Sequence, residues 1–298
     1  MSVQPPLFVL APPFCGASFV AGCLGRHPQL YAVPELCLMM ADELGELLEI
    51  FRLSQGPQAD GLLRTIAQLE FGAQQDQAIA AARHWLVQRP EWTTRRLLDE
   101  IAARVAPRRL VVPDTEAPLR PLDLRRLQRG FPQAASIHLT RHPWTQGCLL
   151  SVWTRDRLFV PPDFKDHAFV PALVDPQVAW LRCNANIESA FGARAALQQV
   201  ESVEAGGDDV LANLCRHAGV DATPAVLAAM RDPDGWTYAG FGPGAAPYGL
   251  EADVLEAFDA EDLARAEQAT LAEPLPWRPD GSGFDRRVVD MARRYGYG

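Results

Sequence analysis

Leu7-Phe8-Val9-Leu10-Ala11-Pro12-Pro13-Phe14-Cys15-Gly16-Ala17-Ser18-Phe19-Val20-Ala21-Gly22-Cys23-Leu24 is the stretch that decides the fold. Its first five residues are apolar without alternation, which fits a central strand covered on both faces, and Pro12-Pro13 ends it. Beyond Gly16, small and apolar residues recur at helical spacing, with Ser18 expected to start the helix. Strand, tight turn with glycine, then helix is the opening unit of an α/β fold. In such a turn the first N–H groups of the helix lack intrahelical partners and point, with the helix dipole, at one region. That region suits a phosphate or sulfate group, with Cys15, Gly16, Ala17 and Ser18 around it. An ordinary strand–helix turn reads the same way.

Outward from this unit the chain is helical. Ala41 to Leu53, Gly61 to Phe71, Gln77 to Val87 and Thr93 to Val105 place Leu, Ile, Ala or Val three or four residues apart, which predicts a helical insertion over about 38–107. Arg109-Leu110-Val111-Val112 reads as a second strand and Ala134 to Thr140 as a third, with a helix from about Pro121 to Gly130 between them. Phe159 to Pro171 reads as a loop, Pro176 to Phe191 as a long helix, Ala196 to Val200 as a fourth strand and Asp208 to Ala218 as its helix. Gly235 to Gly249 holds five glycines and two prolines in fifteen positions, which makes it a loop. With no repeat, low-complexity tract or linker, residues 1–298 are expected to form one α/β domain.

Composition narrows the function classes. A net charge of −9 over 298 residues argues against unaided binding to nucleic acid or an anionic membrane. No apolar run approaches the roughly 18–20 residues of a membrane span, and Met1 to Pro6 carries no basic residue of a secretory signal. The six cysteines are scattered without a CxxC pair, so reduced thiols in a cytoplasmic protein are expected. Lys165 is the sole lysine, so a phosphate site must use arginine, backbone N–H groups and hydroxyls.

The opening turn is not a nucleoside-triphosphate loop, since GxxxxGK[ST] is absent. Nor is it a Cys-x5-Arg loop, since Ala21 stands where the arginine would be. Cys15 could be a thiol of lowered pKa at a helix N-terminus or an inert, packed one. A second anion candidate is Thr140-Arg141-His142-Pro143 at the end of the third strand, because ligands of open parallel sheets bind beyond the strands' carboxyl ends. Arg141 can hold a phosphate through two parallel N–H bonds, with Thr145 or Ser151 adding a hydroxyl.

These segments together resemble the sulfotransferases that use 3′-phosphoadenosine 5′-phosphosulfate. The matching text is Leu10 to Ser18, His27-Pro28-Gln29-Leu30-Tyr31, Pro34-Glu35-Leu36, Phe131-Pro132-Gln133-Ala134 and Ile137 to Pro143. Val200-Glu201-Ser202-Val203 is similar to the family's later strand and helix, and Gly240 to Gly249 to a loop of bacterial members in natural-product pathways. The resemblance implies a P-loop-like parallel sheet flanked by helices, the sulfotransferase fold. It implies that the 15–18 turn cradles the 5′-phosphosulfate, that Arg141 with Ser151 holds the 3′-phosphate, and that Glu35 takes the proton of the acceptor hydroxyl. The acceptor would be a small or carrier-bound metabolite.

The chain departs from that pattern at Phe14, where the family has a basic residue, at Cys15 and Ala17, where it has hydroxyls, and at Asp114, where it has lysine. Leu149 stands where the later hydroxyl is expected. A charge-assisted hydrogen bond is worth roughly 1.5–3 kcal/mol, so losing two cations costs about 3–6 kcal/mol. A second reading therefore stays open: a protein of this fold that has lost this donor and binds another ligand, with Asp114 and Glu116 meeting a cation, or serves a biosynthetic assembly as a binding partner. Glu35 also reads as a surface carboxylate opening the Leu36 helix. Trp153, Phe159, Phe164, Phe169 and Trp180 are either pocket lining or core.

Overall fold

The structure is a computed structural model that describes residues 4–54, 57–155, 157, 160–249, 251 and 270–298. Five parallel strands form its sheet: β1 (Leu7–Leu10), β2 (Leu30–Ala32), β3 (Arg109–Asp114), β4 (Ala135–Thr140) and β7 (Ala195–Gln199), in the order β2-β3-β1-β4-β7. All four residues of β1 are fully buried, as a strand covered on both faces requires. Its neighbours on either side, β3 and β4, are five buried residues out of six each.

Helix α1 (Ala17–Gly25) follows β1, and its cap is Gly16 in the left-handed region rather than Ser18. The turn needs a positive φ that Ser18, already helical, does not supply; this corrects the predicted start. Helices α2 (Leu44–Ser54), α3 (Asp60–Phe71), α4 (Asp76–Val87) and α5 (Thr94–Val105) fill the crossover from β2 to β3, within the span expected for the insertion. Their apolar faces, through Leu44, Leu62, Ile79 and Leu97, share one continuous core with β1 and β3.

Beyond β3 come α6 (Pro121–Gly130), β4, α7 (Pro143–Arg155), α8 (Pro176–Phe191), β7, α9 (Val200–Glu204), α10 (Asp208–Ala218), α11 (Pro224–Met230) and the C-terminal α12 (Arg286–Arg294). The 159–171 stretch is not wholly loop: β5 (Lys165–Asp166) pairs antiparallel with β6 (Leu173–Val174), while Phe159 lies outside the described residues. Val200 opens α9 instead of closing the last strand. β2 was missed because three residues cannot display a period; it exists because Val111 and its neighbours offer it a parallel ladder.

Candidate functional site

β1 lies between β3 and β4, so the chain leaves it for opposite sides of the sheet and a crevice opens at its carboxyl end. The turn there is bent by two left-handed residues, Phe14 at φ 62° and Gly16 at φ 76°. A Cβ on Gly16 would stand 2.6 Å from Val200 Cγ2 and 3.1 Å from Arg141 Nη2. Only glycine lets β1's turn, α9 and the arginine beyond β4 approach so closely.

Arg141 points inward and is 7% exposed. Its Nη groups pair with Glu204 of α9, its carbonyl accepts Trp180 Nε1–H at 2.9 Å, and its buried Nε has no partner among the described residues. Glu251 enters the same turn. Its Oε1 accepts the Phe14 N–H at 2.6 Å, and its own N–H donates to Ser18 Oγ at 3.3 Å. Burial pushes the Glu251 carboxyl up, opposed by Arg141 and by the N–H groups of Phe14, Ser18 and Gly16. A carboxyl group thus occupies the point at which the turn's N–H groups are directed.

Two cavities meet here. One, of about 180 Å³, runs from Gly16, Ser18 and Arg141 along Phe19, Pro233 and Trp236. The other, of about 440 Å³, lies beyond Phe14 and is lined by Glu35, Glu116, Met40, Trp153 and Phe164 among others. Phe14 and Glu251 line both. The Phe14 ring leans on Trp153, with centroids 5.8 Å apart, and so forms a shared wall rather than a plug in the first cavity.

Glu35 opens no helix. Its carboxylate accepts the Thr115 N–H, the Thr115 hydroxyl at 2.9 Å and the Glu116 N–H at 3.2 Å, which aims it into the larger cavity. Burial dominates its titration, the Thr115 bonds oppose and Glu251 adds repulsion; the result is a carboxyl pushed up to about 7. Glu116 is also pushed up to about 7, by burial and then by Glu35. Asp114 faces away from the cradle: its Oδ1 caps the next turn, accepting Ala117 N–H at 2.7 Å and Glu116 N–H at 3.1 Å. The position that resembles the family's lysine therefore adds a structural carboxyl, and it lines neither cavity.

The structure brings Gly16, Ser18 and Arg141 to one cavity and Glu35 to the other. It does not bring Ser151, whose Oγ donates to the Gly147 carbonyl at 2.7 Å within α7; Leu149 lines the cavity instead. Helical spacing turns Ser151 off that face. Cys15 is fully buried, and burial pushes its thiol well above the usual range, so it contributes backbone alone; Ala17 is likewise buried beside it. His138 is held by Asn184 Oδ1 at 2.7 Å, and burial drives His142 down to about 4, so neither serves as a base in the cavities. Of the aromatics, Trp153 and Phe164 line the larger cavity, Phe169 stacks under Arg278, and Trp180 is core. Glu204, Trp236 and Glu251 were missed; only the glycine-rich composition before residue 251 hinted at a loop folding back.

No family model matches the chain, and no curated protein does. Among solved structures it is similar to the sulfotransferase domain from the Synechococcus PCC 7002 olefin synthase, at TM-score 0.72 and 22% identity over 99% of this chain and 95% of that one. It is also similar to the sulfotransferase domain from the curacin biosynthetic pathway, at TM-score 0.68 and 19% identity over 100% of this chain and 99% of that one. The chain has the sulfotransferase fold.

Proposed function

We propose that the protein is a sulfotransferase that moves a sulfuryl group from 3′-phosphoadenosine 5′-phosphosulfate to a hydroxyl of a small or carrier-bound metabolite. The observation that carries this reading is that the N–H groups of Phe14, Gly16 and Ser18 act on the Glu251 carboxyl with Arg141 nearby, at the junction of two cavities. In this reading the 5′-phosphosulfate takes the cradle, Arg141 meets the 3′-phosphate, and adenine enters the apolar slot of Phe19, Pro233 and Trp236. The acceptor enters the larger cavity with its hydroxyl toward Glu35. The acceptor oxygen attacks sulfur, the bridging S–O bond breaks toward the phosphate, and Glu35 takes the hydroxyl proton. In this reading the turn's N–H groups carry the charge that develops on the leaving 5′-phosphate.

A base with a pKa of about 7 is well matched to this step, since it is ionised near neutrality yet strong enough to accept a proton. A metabolite acceptor fits the apolar and aromatic lining of the larger cavity, and the two similar domains come, by name, from biosynthetic proteins. The net charge of −9 still argues against a nucleic-acid partner, and no described helix is long and apolar enough to cross a membrane. All six cysteines are free, in keeping with a cytoplasmic location.

One observation favours the second reading. Glu251 already occupies the cradle and Glu204 pairs with the Arg141 Nη groups, with no lysine nearby to restore positive charge. A fold that has lost this donor would look the same. Calorimetric titration with 3′,5′-adenosine bisphosphate separates the two. Micromolar binding that disappears in Arg141→Ala supports the enzyme, whereas no binding by the native protein leaves the second reading standing.

A further inference from the structure

The loop that ends at Glu251 is held in place by a buried guanidinium. Arg64 of α3 is 2% exposed and donates to the carbonyls of Tyr238 at 2.9 Å, Gly240 at 3.3 Å and Tyr248 at 3.1 Å. Asp60, one helical turn earlier, accepts the Tyr248 N–H at 3.0 Å. Gly249, at φ 93°, lies so close to Gly61 that a Cβ on it would be 2.6 Å from the Gly61 Cα, and its carbonyl accepts the Glu35 N–H at 3.1 Å. The helical insertion therefore fixes the chain through residue 249 beside the catalytic carboxylate. Two residues further on, Glu251 lies in the cradle.

A carboxylate oxygen and a phosphate oxygen require the same donors from such a turn. The Phe14 N–H points at Glu251 Oε1, and the N–H groups of Ser18 and Gly16 also act on that carboxyl. Arg141 lowers the energy of either anion there. One set of donors cannot serve two anions at once.

We propose that Glu251 is a built-in competitor for the donor, its carboxylate and the 5′-phosphosulfate exchanging for the same Phe14, Gly16 and Ser18 N–H groups beside Arg141. This rests on the donor reading above and adds a residue that limits donor affinity. Apparent affinity for a ligand falls by the fraction of molecules whose site is competent. With Glu251 seated in about 90–99% of molecules, removing it tightens binding roughly tenfold to a hundredfold.

The test measures the affinities of 3′,5′-adenosine bisphosphate and adenosine 3′-monophosphate for the native protein, Glu251→Ala and Glu251→Gln. Only the first ligand carries a 5′-phosphate. The expected result is a tenfold or greater gain for the bisphosphate in Glu251→Ala, a smaller gain in Glu251→Gln, and no gain for the 3′-monophosphate. Native binding with no gain in either variant overturns the competitor and leaves the donor reading intact. An equal gain for both ligands also overturns it, because the effect would then be one of space. Absence of bisphosphate binding in all three proteins removes the donor reading and the competitor together. Glu251→Gln, which keeps the size and hydrogen-bonding reach of the side chain, covers the case in which the alanine variant fails to fold.

Discussion

The two cavities that meet at Phe14 and Glu251 obtain their chemistry by opposite means. The smaller one draws on main-chain N–H groups at a helix N-terminus, on one arginine and on a glycine that nothing else can replace. The larger one draws on side-chain carboxyls whose burial has moved them toward neutrality. The first kind of site is set by backbone geometry, and Cys15 and Ala17 enter it with their side chains buried. The second kind is set by desolvation and is sensitive to every neighbouring charge.

The sharpest way to break that contrast is Glu35→Gln. If the larger cavity supplies the base, donor turnover falls roughly a hundredfold to ten-thousandfold while the Kd for 3′,5′-adenosine bisphosphate stays unchanged. A parallel loss of nucleotide affinity would mean that the two cavities do not divide the labour as described. Arg141→Ala attacks the other side. A drop in nucleotide affinity of about a hundredfold or more is expected there, because a charge-assisted pair to phosphate is lost and Glu204 is left without its partner. Circular dichroism on the same sample checks that the protein still folds.

Titration sharpens the comparison further. Glu35 must be ionised to accept a proton, so turnover should rise with pH through about 7 and fall away below it. Glu251 repels the Glu35 carboxylate, so Glu251→Gln should move that acid limb to lower pH. A limb that does not move in a pH–rate profile would remove the coupling between the cavities.

The smallest expected effect is on stability. Glu35 and Glu116 have folded-state pKa values raised above the ordinary carboxylate range, so the folded protein holds their protons more tightly than the unfolded chain does. Their contribution is fully present at pH 4 and is lost as pH rises through about 7. The melting temperature should therefore decline between pH 5 and pH 8, and Glu116→Gln should flatten the slope by about 2–4 °C, as roughly 1 kcal/mol does in a protein of this size. Calorimetric scans across that range decide it.

Much of the frame was legible along the chain. The unbroken apolar run of β1, the helical spacing in 38–107 and the polar stop after β4 follow from local rules; Gly16 and Arg141 could be named from their places next to those elements, and Glu35 only through the family resemblance. Ser151 could not be placed, because one step around α7 separates a hydroxyl that faces the cavity from one that bonds its own helix. The short β2 and β5–β6 carry too few residues for a period and are specified by the strands they pair with.

By itself the sequence determined a parallel α/β sheet, a tight glycine turn after its first strand and an arginine at the end of the strand it reads as the third. These depend on hydrophobic period, turn chemistry and residues adjacent in the chain. Tertiary structure alone decided that Asp114 turns away, that Glu204 and Glu251 meet Arg141 and the turn, and that two cavities share Phe14 as a wall. The reason is that charge and burial at the site are set by side chains 63 and 237 positions away along the chain, which only packing brings into contact.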